Sequence, residues 1–162
     1  MTAPEQRQRA VVVIVDDEEM VLTSLSSFLE LETDYEVATF TDPAAALRYV
    51  EERDVDLVIS DYLMPEMDGI TFLAQVRQRR PEVPRVILTG YSDKENAIKG
   101  INEVGLFQYI EKPWDNEDLR LVIRNGLEKQ HLMRQLRDKV AQINRAYADL
   151  QGIQQDILKA FA

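Results

Sequence analysis

The chain has 162 residues, 45% hydrophobic and 30% charged, with 29 acidic against 19 basic side chains and a net charge of −10, which suits one packed domain plus an appendage. It has no cysteine and one histidine, so disulfides, thiol catalysis and thiolate metal sites are excluded and zinc is disfavoured. A metal here would be a hard cation on oxygen ligands. Residues 1–129 hold 14 basic and 26 acidic side chains (−12) and residues 130–162 hold 5 and 3 (+2), so neither part offers the cationic face that direct nucleic-acid binding requires.

No apolar run approaches the roughly 18 residues needed to cross a bilayer, and the start MTAPEQRQRA lacks an apolar signal core. The expectation is a cytoplasmic protein without a membrane span, in which residues 1–10 form a disordered tail.

Short apolar runs then alternate with segments of helical period. VVVIV at 11–15 precedes a helix at 19–31, YEVATF at 35–40 precedes 43–53, and DLVIS at 56–60 precedes 70–80. VPRVILTG at 83–90 precedes 94–104, and FQYIEK at 107–112 precedes a helix from Asn116. Five strand-then-helix repeats predict an α/β domain at 11–129, a doubly wound five-stranded parallel sheet with helices on both faces. VVVIV and DLVIS are continuously apolar, hence buried on both sides, whereas the mixed YEVATF belongs nearer an edge. Thr41 or Asp42 caps the helix that opens with Pro43, and Asp115 with Asp118 forms an acidic cap for the last helix.

That last helix has no stop where a compact domain would end. From Asn116 to Phe161 there is no proline, and the only glycines are Gly126 and Gly152, so a continuous helix of about 45 residues, roughly 70 Å, is predicted. Its distal part, residues 130–162, carries Met133, Leu136, Val140, Ile143, Tyr147, Leu150, Gln154, Ile157 and Phe161 at alternating steps of three and four. Only Gln154 interrupts this apolar seam, which predicts a coiled-coil extension and parallel homodimerisation through 133–161. The competing arrangement is a helix that folds back onto its own domain.

In an open parallel sheet, ligands bind beyond the carboxyl ends of the strands. Asp16 and Asp17 follow strand one, Asp61 ends strand three, Thr89 ends strand four and Lys112 follows strand five. Three convergent carboxylates repel unless a cation lies among them, and Mg²⁺ fits an all-oxygen set. A carboxylate beside Mg²⁺ and a lysine is equipped to attack a phosphoryl group, which makes Asp61 the candidate nucleophile. Pro65 and Gly69 punctuate the loop that leaves this acid exposed.

The chain resembles the response-regulator receiver domains of the CheY-like kind. The match rests on Asp16 and Asp17 in VDDE, Asp61 in SDYLMPEMDG, Thr89 in LTG, Lys112 in EKPW, and Tyr109 three positions before that lysine. It spans 11–129, with a combined order and spacing that are highly specific. The resemblance implies a two-component role in which Asp61 accepts a phosphoryl group from a sensor histidine kinase or phosphotransfer protein. It further implies Mg²⁺ on Asp16, Asp17, Asp61 and the Leu63 carbonyl, Lys112 on the phosphate, and Thr89 with Tyr109 as the conformational switch. Such a domain is a regulatory phosphoacceptor rather than an enzyme with its own substrate. Leu63 and Tyr91, two positions after Asp61 and Thr89, occupy places that in the family tune the lifetime of the phosphate.

Blander readings compete for single residues. Asp16 and Asp17 alone would serve as capping acids, Thr89 as an ordinary strand end, and Tyr109 as core. His131 sits in HLMRQL, which lacks the acidic neighbour and downstream proline of histidine-kinase phosphoacceptor helices, so it reads as a solvated or packing residue. Trp114 reads as packing at the start of the last helix.

Two other classes stay open. An Mg²⁺-dependent aspartyl-phosphate phosphatase of the haloacid-dehalogenase-like kind needs an acid two residues after the nucleophile, where this chain has Leu63. A pseudo-receiver scaffold would need only the coiled coil, and the complete acidic set with Lys112 argues against it. No phosphate loop of the G-x-x-x-x-G-K-[ST] type occurs. After Lys129 no helix-turn-helix, cyclase or HD-type motif follows, so the coiled coil is either the output itself or a stalk leading to an output domain outside these residues. EKPW followed by a long helix also resembles receivers that precede phosphohydrolase or other enzymatic domains.

Overall fold

A computed structural model describes residues 9–161, with the side chain of Tyr91 left aside. The chain divides into two compact units between Gln130 and His131.

In the first unit, β1 (Val11–Val15), β2 (Glu36–Phe40), β3 (Leu57–Asp61), β4 (Arg85–Thr89) and β5 (Gln108–Glu111) form one sheet in the order β2-β1-β3-β4-β5. Every pairing is parallel. Strands β3 and β4 are buried along their whole length and β1 at four of five positions, while β2 at the edge alternates toward solvent. These are the contrasts that continuous and mixed apolar runs predict. The helices are α1 (Glu19–Glu32), α2 (Pro43–Glu52), α3 (Gly69–Arg79), α4 (Lys94–Val104) and α5 (Asn116–Ala160), with one turn of 3₁₀ helix at Tyr91–Asp93.

Two apolar layers sandwich the sheet. Val13, Val58 and Ile87 meet α2, α3 and α4 through Val50, Phe72 and Ala97. Ile14, Ile59 and Leu88 meet α1 and the first turns of α5 through Leu25, Leu119 and Ile123. Each fully buried Leu, Ile or Phe stabilises the fold by roughly 1.5–3 kcal/mol relative to exposure. Successive strand residues point to opposite faces, so continuously apolar strands feed both layers at once.

The predicted caps form with small shifts. Asp42, not Thr41, caps α2, its carboxylate accepting from the Ala44 N–H at 3.0 Å. Asp115 accepts from the N–H groups of Glu117 and Asp118 at the start of α5. Gln130, almost fully buried, donates to the Val55 carbonyl. Trp114 packs partly buried against the second layer.

Of the expected disordered tail, residues 1–8 lie outside the described residues. Arg9 is engaged, its guanidinium donating to the carbonyls of Asp34 and Tyr35, and the Ala10 carbonyl accepts from the Glu36 N–H. Those two residues extend the β1–β2 junction rather than a free tail.

The second unit is helical through Ala160. Its seam residues Leu136, Ile143, Tyr147 and Leu150 are each more than half exposed, with Ile153 and Leu158 beside them equally open. No helix among the described residues is long and apolar enough to cross a membrane.

Candidate functional site

The strand register brings the acidic residues together. Val15 of β1 pairs with Ser60 of β3, so Asp16 and Asp61, the next residue on each strand, leave the sheet side by side. Asp61 in turn pairs with Leu88, and the Tyr62 N–H donates to the Leu88 carbonyl at 2.9 Å. The Lys112 N–H donates to the Thr89 carbonyl at 2.7 Å, which anchors the β5 exit beside the end of β4. Carboxylate oxygens of Asp16, Asp17 and Asp61 all lie within 4.8 Å of one another. Asp16 is fully buried, Asp61 is 7% exposed and Asp17 faces solvent.

Lys112 bridges the two buried acids. Its Nζ is 3.0 Å from Asp61 Oδ1 and 3.3 Å from Asp16 Oδ2. Burial pushes both carboxyl groups above the ordinary carboxylate range. The charge of the neighbouring acid adds to that rise, Asp61 acting on Asp16 and Asp17 on Asp61, while Lys112 opposes it. For Lys112, burial alone would pull the ammonium down, but its hydrogen bond and charge contact with Asp61, joined by Asp16, hold it above the usual lysine value. Asp16 also accepts from the Glu18 N–H at 2.9 Å, a turn contact just ahead of α1 and not a cap of that helix.

Three carboxylates against one ammonium leave an excess of two negative charges in a partly buried pocket. Such a donor set fits a hard divalent cation of the Mg²⁺ type, which takes a few carboxylates and keeps water in its remaining positions. Asp61 Oδ1 takes up the Tyr62 N–H as well as Lys112.

The loop after β3 is shaped by a glycine. A Cβ at Gly69 would stand 2.1 Å from the Asp61 carbonyl oxygen, inside any permissible contact. The Gly69 N–H donates to the Tyr62 carbonyl at 2.8 Å and Asp68 caps α3 through the Thr71 N–H. Gly69 therefore lets the start of α3 press against the backbone of the acidic residue itself. Sequence reasoning makes it loop punctuation at the start of the next helix. The D-G pair after a proline marks the turn, but the close approach is invisible until α3 is docked.

Thr89 is completely buried and its hydroxyl has no hydrogen-bond partner among the described residues. Strand alternation sets it on the same face as Ile87, and the register sets Tyr109 beside Ile87 and Glu111 beside Thr89, so the predicted switch pair shares one face. Tyr109 is half-buried, with Lys94 Nζ 6.0 Å from its ring centroid and 3.7 Å from Glu111. Lys94 is a contact that sequence reading missed, since it opens α4 and meets β5 only in the fold. Leu63 presents an exposed apolar side chain at the position where a phosphatase acid would stand.

The sequence model of the response regulator receiver domain matches residues 12–124. The hydrogenase transcriptional regulatory protein HoxA of Cupriavidus necator is 37% identical over 125 residues, which is 77% of this chain and 26% of HoxA. The DNA-binding transcriptional regulator NtrC of Escherichia coli K12 is 30% identical over 145 residues, 90% of this chain and 30% of NtrC. This chain thus spans between a quarter and a third of the length of these relatives. Among solved structures, the signal receiver domain of an HD domain-containing protein from Pseudomonas fluorescens Pf-5 is 36% identical, with a TM-score of 0.75 over 83% of this chain and 98% of that one.

Proposed function

The chain belongs to the response regulator receiver family of two-component signalling proteins, and on that premise we propose that Asp61 is its phosphoacceptor. The observation that carries this is the placement of the Asp61 carboxylate, buried yet bridged at 3.0 Å by Lys112 and flanked by Asp16 and Asp17. One oxygen of Asp61 attacks the phosphorus of a phosphohistidine on a sensor kinase or phosphotransfer protein. The P–N bond breaks as the P–O bond forms, and the departing imidazole takes up a proton. Lys112 turns from the carboxylate toward the incoming phosphoryl oxygens and neutralises charge that grows during transfer. Asp16, Asp17, Asp61 and the Leu63 carbonyl would hold Mg²⁺, which when bound shields the acids from one another and from the phosphoryl oxygens.

The protein acts as a regulatory acceptor in the cytoplasm rather than as an enzyme with an external substrate. Once Asp61 carries phosphate, the unpartnered Thr89 hydroxyl gains an acceptor. Its movement frees space beside Tyr109, which changes the surface formed by α4 and β5. The 11–129 domain passes this change to the 130–162 extension, which pairs with a second copy as a parallel coiled coil along 133–161. Output belongs to the coiled coil itself, to a partner or to a domain beyond these residues, since this chain covers only 26% of HoxA and 30% of NtrC.

The decisive experiment is intact mass after incubation with Mg²⁺ and acetyl phosphate. A single phosphoryl adduct is expected that requires Mg²⁺ and is lost in Asp61→Asn. An adduct that persists in Asp61→Asn, or none with either acetyl phosphate or a phosphorylated kinase, overturns the assignment.

A further inference from the structure

The distal helix holds more information than an apolar seam. With Met133 at an a position of the heptad abcdefg, the a positions are Met133, Val140, Tyr147, Gln154 and Phe161 and the d positions Leu136, Ile143, Leu150 and Ile157. Gln154 is the single polar residue among them. Two further large apolar residues lie off the seam between 133 and 161, Ile153 at g and Leu158 at e, 56% and 64% exposed.

These departures from a plain stripe have one common solution. In a parallel pair in register, each a residue meets its own counterpart, so Gln154 faces Gln154 and each amide both donates and accepts. The g residue of one helix then flanks the e residue five positions on in the other, which sets Ile153 against Leu158 and Lys139 against Asn144, with no like charges opposed. An antiparallel pair overlapped end to end puts Gln154 level with Leu136 and brings Ile153 toward Lys139. A parallel pair slipped by one heptad sets Gln154 against Tyr147 or Phe161. Both leave an amide desolvated against a seam residue that cannot satisfy it in full.

We infer that Gln154 is the register key of the extension, holding two copies of this chain parallel and in register, with Ile153 and Leu158 closing the flanks of the same layer. The inference rests on the proposal that a second copy covers the seam, and it adds what fixes strand number, direction and alignment.

The chain contains no cysteine, so single cysteines placed in this 162-residue chain report alignment directly. Three measurements are made: mass by sedimentation equilibrium, oxidative cross-linking of Leu150→Cys alone, and cross-linking of Leu150→Cys mixed with Val140→Cys. The expected results are a dimer mass and efficient cross-linking of Leu150→Cys to itself. In Gln154→Leu, self-cross-linking of Leu150→Cys should fall at least twofold, or the mass should move to trimers and tetramers. A monomer mass at tens of micromolar overturns both the pairing proposal and the inference. A dimer that cross-links only in the mixture is antiparallel and overturns the inference while pairing stands. A Gln154→Leu protein with unchanged mass and cross-linking also overturns it.

Discussion

Lys112 holds Asp61 and Asp16 at 3.0 and 3.3 Å, on carboxylates that burial has already pushed toward their protonated forms. The site is thus a place where folding leaves negative charge undercompensated.

Removing one of those charges should stabilise the metal-free protein. A carboxyl whose folded pKa lies above its unfolded value favours the fold at low pH, and that contribution is lost as pH rises through the folded value. Relative to the native chain, Asp61→Asn should therefore gain stability as pH rises from about 4 and level off once Asp61 is ionised in the folded state. Urea melts in EDTA from pH 4 to 8 read this directly, and adding Mg²⁺ should narrow the gap. The opposite change, Lys112→Met, leaves both acids without their cation and should cost about 3 kcal/mol at neutral pH.

Gly69→Ala should injure the site without touching a charge. The new methyl would meet the Asp61 carbonyl oxygen at 2.1 Å, and overpacking of this kind costs about 2 kcal/mol. We expect a lower urea midpoint together with slower phosphoryl uptake from acetyl phosphate, because the strain falls on the peptide unit of Asp61, the proposed acceptor. A variant with native stability and native uptake would show that the β3–α3 loop yields freely.

Thr89→Val should separate stability from signalling. The buried hydroxyl has no partner among the described residues, so replacing it by a methyl of similar shape should raise stability by about 1 kcal/mol in the unphosphorylated protein. Phosphorylated Thr89→Val should lack the spectral changes that the native protein shows around Tyr109 in two-dimensional NMR, whereas Thr89→Ser should retain them.

Lys94 lies against both the Tyr109 ring and Glu111. Lys94→Met should loosen the ring, with Tyr109 resonances shifting toward their phosphorylated positions before any phosphate is added. The stability loss should stay below about 1 kcal/mol, since both contacts are partly exposed. Unmoved Tyr109 resonances would show that Lys94 plays no part in setting the ring.

Much of the fold is legible residue by residue. Strand β1 and helix α4 begin and end where their apolar patterns do, because a strand or helix buried against a sheet must carry its period along its own sequence. Boundaries slip where a backbone bond, not a side chain, decides. The run YEVATF starts at Tyr35, yet β2 opens at Glu36, where its main chain begins to pair with β1. Likewise VPRVILTG begins at Val83, yet β4 opens at Arg85, where its pairing with β3 begins.

The sequence by itself determined the alternation of strands and helices, the set of acids and lysine at strand ends, and the spacing of the distal seam, since each is a local pattern of residue type. Only the tertiary structure decided that β5 is the second edge, that Lys112 spans Asp16 and Asp61, that α3 presses on the backbone of Asp61, and that the Thr89 hydroxyl has no partner among the described residues. Those relations are fixed by sheet order and helix docking, and no local period encodes them.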